Sequence, residues 1–170
     1  TRFTTLTFLL AGMFSGPLSA DENAVAMPDT LTGTVVVVNQ ASDTVTLIDL
    51  ATMEAYRHVT VVGGPHEVAV SPDGQRAIVT NYRKRGGAVQ KTLSLISLPD
   101  GETLKTIDLG EFRAPHDIHW VNDRQVVCTV EDNQALLLVN VESGEIERVF
   151  KTDRDGSHML ALSPDQRQLF

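Results

Sequence analysis

The stretch Gly63–Tyr82 (GGPHEVAVSPDGQRAIVTNY) sets a pattern that the rest of the chain repeats. It holds two short apolar runs, Val68–Val70 and Ala77–Val79, joined by Ser71, Pro72, Asp73 and Gly74. Proline fixes φ for the second position of a tight turn, and Asp and Gly suit the positions after it. Two β-rich runs about such a turn read as an antiparallel hairpin. The unit returns in worn form at Ala114–Val130 (APHDIHWVNDRQVVCTV) and at Gly156–Phe170 (GSHMLALSPDQRQLF). A recurrence at this spacing decides the fold before any single motif does.

Between the hairpins lies a second recurring segment. Val45–Leu50 (VTLIDL) matches Leu93–Leu98 (LSLISL) and Leu136–Val141 (LLLVNV), with period-2 apolar pairs at Val45/Leu47, Leu93/Leu95 and Leu136/Leu138. Each is followed by a turn, in which Gly101 and Gly144 supply the left-handed position that such hairpins favour. Met53 stands there in the first copy and marks its turn as the weakest. A more variable strand then closes each unit. The result is four strands per unit and no helical pattern beyond the N-terminal segment. The step is 50 residues from Pro65 to Pro115 and 42 from Pro115 to Ser157. Four short antiparallel strands at this spacing predict an all-β chain of β-propeller blades. A β-sandwich is the alternative, but it gives no reason for one hairpin to recur at a regular step.

Ser71–Asn81 (SPDGQRAIVTN), preceded by Thr44–Asp49 (TVTLID), resembles the YVTN-type β-propeller repeat, with Ala77–Asn81 (AIVTN) standing at the signature. Val36–Asn39 (VVVN) is a partial second copy, and the resemblance runs from about Gly33 to the end. The motif is lost at Val121–Arg124, and its glycine is lost at Asp165 and Gln166. The resemblance implies a ring of about seven blades. It also implies kinship with surface-layer and periplasmic proteins. Lactonases, the non-catalytic chain of amine dehydrogenases and the propeller of nitrous oxide reductase are more distant look-alikes. On this reading 33–62 is a first blade lacking its inner strand, 63–109 and 110–151 are complete blades, and 152–170 opens another. The expectation is an N-terminal portion of a longer protein, monomeric at full length, whose ring closes with a later strand.

Thr1–Ala20 carries Arg2, an apolar stretch from Leu6 to Phe14 and then small residues, which is the layout of a secretory signal cut after Ala20, or after Ala26. Residues 21–32 form a polar lead-in. A periplasmic or extracellular setting follows, with no transmembrane segment in the mature chain. With 14 basic against 22 acidic residues, the net charge of −8 argues against nucleic-acid binding. The single cysteine, Cys128, sits in an apolar run and reads as a small buried hydrophobe. No nucleophile elbow, P-loop, zincin or dinucleotide motif occurs. The expectation leans towards a binding or scaffold module without catalytic residues.

Alternate loops of a propeller share one face, and the irregular loops fall on the face opposite the short turns. Arg83–Lys91 contains an insertion of about six residues relative to the first repeat. Its Arg83, Lys84, Arg85 and Lys91, with Arg113 from the next irregular loop, are candidates for docking an anionic group, an acidic protein or a small ligand. The same face receives His66, His116 and His158, which occupy one slot of the repeat, directly before the innermost strand. Imidazoles around an axis suit a metal ion or a proton-transfer site, the alternative to a plain binding face, of lactonase or redox-accessory type. The competing expectation is that each ring fixes its own loop by hydrogen bonding. No other cofactor is indicated. Glu67 and Asp117 are expected to orient their neighbouring histidines, His119 to pack inside and His58 to face solvent.

Overall fold

In the computed structural model, residues 31–84 and 86–170 are described. The N-terminal signal-like segment and Arg85 lie outside them. Eleven strands form three antiparallel sheets, each a simple meander. The first contains β1 (Thr34–Asn39), β2 (Thr44–Asp49) and β3 (Glu54–Thr60). The second contains β4 (Pro65–Val70), β5 (Arg76–Arg83), β6 (Val89–Ser97) and β7 (Glu102–Asp108). The third contains β8 (Pro115–Trp120), β9 (Gln125–Val130), β10 (Ala135–Asn140) and β11 (Ile146–Lys151). Residues 157–170 add one isolated antiparallel bridge, Leu162 to Leu169. The sole helical element among the described residues is a single 3-10 turn at Glu131–Asn133.

The sheets stack face to face because successive side chains point to opposite sides of a strand. Ala77 and Val79 of β5 join Val45, Leu47, Val59 and Val61 in a core between the first and second sheets. Ile78, on the other face of the same strand, joins Leu93, Leu95 and Ile107 in a core with the third sheet. Both faces of the middle sheet are therefore apolar, and its central strand reads as a continuous run rather than an alternation. Strand β8 packs against β4 and β5, while β4 packs against β1. Strand β1 thus meets β4 as β5 meets β8.

The pair Leu136/Leu138 departs from expectation. Both are half-buried, whereas Ala135, Leu137 and Val139 are fully buried. Leu136 and Leu138 occupy the register of Leu93 and Leu95, but their face turns towards the sparse segment 157–170. Met53 adopts the left-handed conformation (φ 58°) that Gly101 (φ 63°) and Gly144 (φ 84°) adopt at the same place. The turn geometry is kept, at the cost of a side chain in a region that only glycine enters freely.

Candidate functional site

The three histidines are delivered to one rim by repeated local chemistry. The residue two before each is left-handed: Gly64 (φ 71°), Ala114 (φ 54°) and Gly156 (φ 66°). That bend turns the chain into the inner strand. At Gly64 the bend leaves no space, since a Cβ there would sit 2.3 Å from the Arg83 carbonyl carbon.

A buried threonine then fixes each inner strand to its neighbour. Thr80 Oγ1 accepts the Glu67 amide (3.0 Å) and donates to the His116 carbonyl of the next sheet (2.8 Å). Thr129 repeats this with the Asp117 amide (3.0 Å) and the His158 carbonyl (2.8 Å). The threonine of the repeat motif is therefore a stitch between successive units.

The imidazoles meet as a consequence. His66 Nε2 and His116 Nε2 are 2.8 Å apart, with ring centroids at 4.3 Å. The His116 and His158 centroids are 3.7 Å apart. Burial is graded: His116 is 3% exposed, His66 is half-buried and His158 faces solvent. Tyr82 lies 5.0 Å from both His66 and His116, stacked on the first and edge-on to the second. Its hydroxyl donates to Glu131 Oε2 at 2.5 Å, and Glu131 Oε1 is hydrogen-bonded to His158 Nδ1. Gln40 Nε2 reaches His66 Nδ1 at 3.3 Å.

Tyr82 and Glu131 are functional candidates that the reading of the sequence missed, and the repeat contained the signal for them. Asn39, Asn81 and Val130 are the register partners of Thr44, Thr92 and Ala135. Gln40, Tyr82 and Glu131 each come one residue later, in one slot. Each contacts the histidine of the following unit. The slot differs in chemistry from copy to copy while the histidine does not.

These surroundings set the charge states. Burial pushes the His116 imidazolium down to about 4, with His66 and His158 adding repulsion, so the ring is neutral near pH 7. Burial also opposes ionisation of Glu131, but the Tyr82 and His158 hydrogen bonds outweigh it and hold the carboxyl below its ordinary range. Burial, followed by the bond to Glu131, raises the Tyr82 phenol. His116 Nδ1 is buried and has no hydrogen-bond partner among the described residues. Ligand atoms of His116, Glu131 and His158 all lie within 4.8 Å of one another, and so do those of His66, Glu67 and His116.

The remaining candidates are placed differently. Arg83 is paired with Asp132 (2.5 Å) and lies over the Tyr82 ring. Lys84 is paired with Asp43 (2.6 Å) and Lys91 with Asp108 (3.2 Å). Arg113 is exposed, and its amide donates to Asn133 Oδ1. Asp117 does not orient His116. It accepts the Ile118 and Leu160 amides, and its Oδ1 is 3.5 Å from His119 Nε2. His119 is correspondingly half-exposed rather than packed inside. His58 is exposed and meets Thr46 Oγ1 at 3.0 Å.

No protein-family model matches the chain. Among solved structures it is similar to Kuenenia stuttgartiensis hydrazine synthase, with a TM-score of 0.70, 21% identity, and coverage of 88% of this chain and 44% of that one. It is also similar to the dihydro-heme d1 dehydrogenase NirN in complex with DHE, with a TM-score of 0.58, 15% identity, and coverage of 68% and 24%. The chain therefore spans less than half the length of either. At these identities the likeness concerns the fold, and the fold is all-β and propeller-type. No helix among the described residues is long and apolar enough to cross a membrane.

Proposed function

We propose that this chain is part of a YVTN-type propeller that acts as a binding module, with the histidine rim as its binding surface. The observation that carries the reading is the convergence of His66, His116 and His158 from successive units onto Tyr82 and Glu131. Structural copying accounts for the recurrence of the histidines in one slot, and the His116 and His158 backbones are each stitched by a threonine. It does not account for a buried imidazole with a free nitrogen. Nor does it account for an ionised carboxylate beside it. Polar groups withheld from water at one rim are what a binding site requires.

Arg83, Lys84 and Lys91 of the 83–91 loop are engaged by carboxylates, so the rim favours electropositive or coordinating ligands over the anionic ones that the loop suggested. A periplasmic or extracellular setting, consistent with the layout of Thr1–Ala20, belongs to the same proposal, as does a monomeric full-length protein.

The test is a titration of the full chain in the presence of a chelator, following the imidazole NMR resonances. Haemin serves as one probe, because the similar NirN is a dihydro-heme d1 dehydrogenase, alongside a cationic and an acidic peptide. At least one probe should move the His66 and His158 resonances, and His158→Ala should abolish its binding. Rim resonances unmoved by every organic probe in chelator, and by Zn2+ added in its absence, would overturn the reading.

A further inference from the structure

The rim contains an arrangement more specific than a general binding surface, and the inference drawn from it rests on the rim being a binding site. We propose that His116, Glu131 and His158 bind a divalent late transition-metal ion, with His66 and Tyr82 as positioning residues. Two imidazoles and one carboxylate form a donor set that suits zinc and its neighbours and leaves coordination positions open.

Three observations support this set over the three histidines alone. First, ligand atoms of His116, Glu131 and His158 already lie within 4.8 Å of one another. Second, His116 Nδ1 is a buried ring nitrogen without a partner among the described residues, while Nε2 of the same ring is 2.8 Å from His66 Nε2. A ligating histidine commonly uses one nitrogen for the metal and gives the other N–H to an acceptor that fixes its tautomer. His66 is placed to be that acceptor, and the Gln40 side-chain amide in turn meets His66 Nδ1 at 3.3 Å. In this state His116 Nε2–H donates to His66 and Nδ1 presents its lone pair. The Gln40 amide then turns its oxygen to His66 Nδ1–H. Third, the Tyr82 hydroxyl occupies Glu131 Oε2 and leaves Oε1 on the histidine side, where it meets His158 Nδ1. The direct bond between Glu131 Oε1 and His158 Nδ1 would be replaced by a bond from each residue to the ion. His66 is thereby a support for the ligand His116 rather than a ligand itself.

The experiment uses the full chain, stripped with chelator and titrated with Zn2+ by calorimetry, and with Co2+ followed by visible absorption. One ion per chain is expected, with d–d bands for Co2+. His158→Ala and Glu131→Gln should weaken binding tenfold or more, and Tyr82→Phe should weaken it about tenfold by freeing the carboxylate. Lys91→Ala should leave binding unchanged. His158 is exposed, so its loss leaves the core intact and circular dichroism should not change. Absence of binding to the wild-type chain in a large excess of Zn2+ would overturn the assignment. So would unchanged affinity in both His158→Ala and Glu131→Gln. If Zn2+ fails while an organic probe still moves the rim resonances in chelator, the metal site falls and the binding module stands. If both fail, both fall.

Discussion

Replacing Thr80 by Val tests whether the rim is held by the threonine stitch. The side chain is fully buried, and its Oγ1 serves the Glu67 amide and the His116 carbonyl at 3.0 and 2.8 Å. Valine keeps the shape but satisfies neither group. Each buried polar group left without its partner costs about 1–3 kcal/mol. Partial relaxation of two neighbouring strands reduces their sum, so the expected loss is about 2–4 kcal/mol. With a urea dependence of about 1–3 kcal/mol per molar, the unfolding midpoint should fall by about 1–2 M. Thr80→Ser restores the hydroxyl and gives up one methyl, worth about 1 kcal/mol, so it should recover more than half of the loss. The assay is equilibrium urea unfolding of the full chain, read with the His116 imidazole resonances under native conditions. Because the stitch grips the His116 carbonyl, Thr80→Val should broaden or shift those resonances, and Thr80→Ser should not. A valine variant within about 0.5 kcal/mol of wild type, or a serine variant as costly as valine, would refute the account.

Met53→Gly removes an exposed side chain from a left-handed residue and should raise stability by about 1 kcal/mol in the same unfolding assay. Gly64→Ala drives a methyl into the Arg83 backbone and should cost on the order of 3 kcal/mol, with loss of the His66–His116 contact by NMR. In the metal-free chain His116 titrates near 4 when folded and near its ordinary 6.5 when unfolded, so the unfolded state binds the proton more tightly. Its contribution to stability is therefore complete above pH 6.5 and is lost as pH falls from 6.5 to about 4, by on the order of 3 kcal/mol in all. Urea midpoints measured across that span should show the decline, and His116→Asn should flatten it. Burial pushes the Cys128 thiol up to about 12, so an aromatic disulfide reagent should label it only as fast as the chain unfolds.

The sheets were legible because their causes are local. The Pro-Asp-Gly turn, the left-handed glycines and the alternating apolar pairs each act within a few residues, and repetition made them visible more than once. The histidine slot was legible for the same reason. The reading faltered where the outcome depends on a neighbouring sheet. Leu136 and Leu138 have the same period as Leu93 and Leu95, yet their burial is decided by what lies across from them. Asp117 follows a histidine as Glu67 does, but the carboxylate is captured by the Leu160 amide, 43 residues away along the chain. The basic loop looked like an open docking patch, because nothing local indicates that Asp132, Asp43 and Asp108 will reach Arg83, Lys84 and Lys91.

The same reasoning locates where a repeat protein acquires a specific site. Positions that build the unit, such as Thr80 and Thr129 or Asn39 and Asn81, make equivalent bonds in each copy where they occur. They cannot distinguish one unit from another. The histidines sit on that invariant frame, so their convergence on the rim follows from the fold. The adjoining slot is different, because Gln40, Tyr82 and Glu131 have the same backbone placement and three unlike chemistries. Among these three residues only Glu131 carries charge, and it stands where two imidazoles are already in place. Any specificity of this rim therefore comes from the occupant of the slot, and exchanging Glu131 and Tyr82 should move the ligand preference of the rim without moving its backbone.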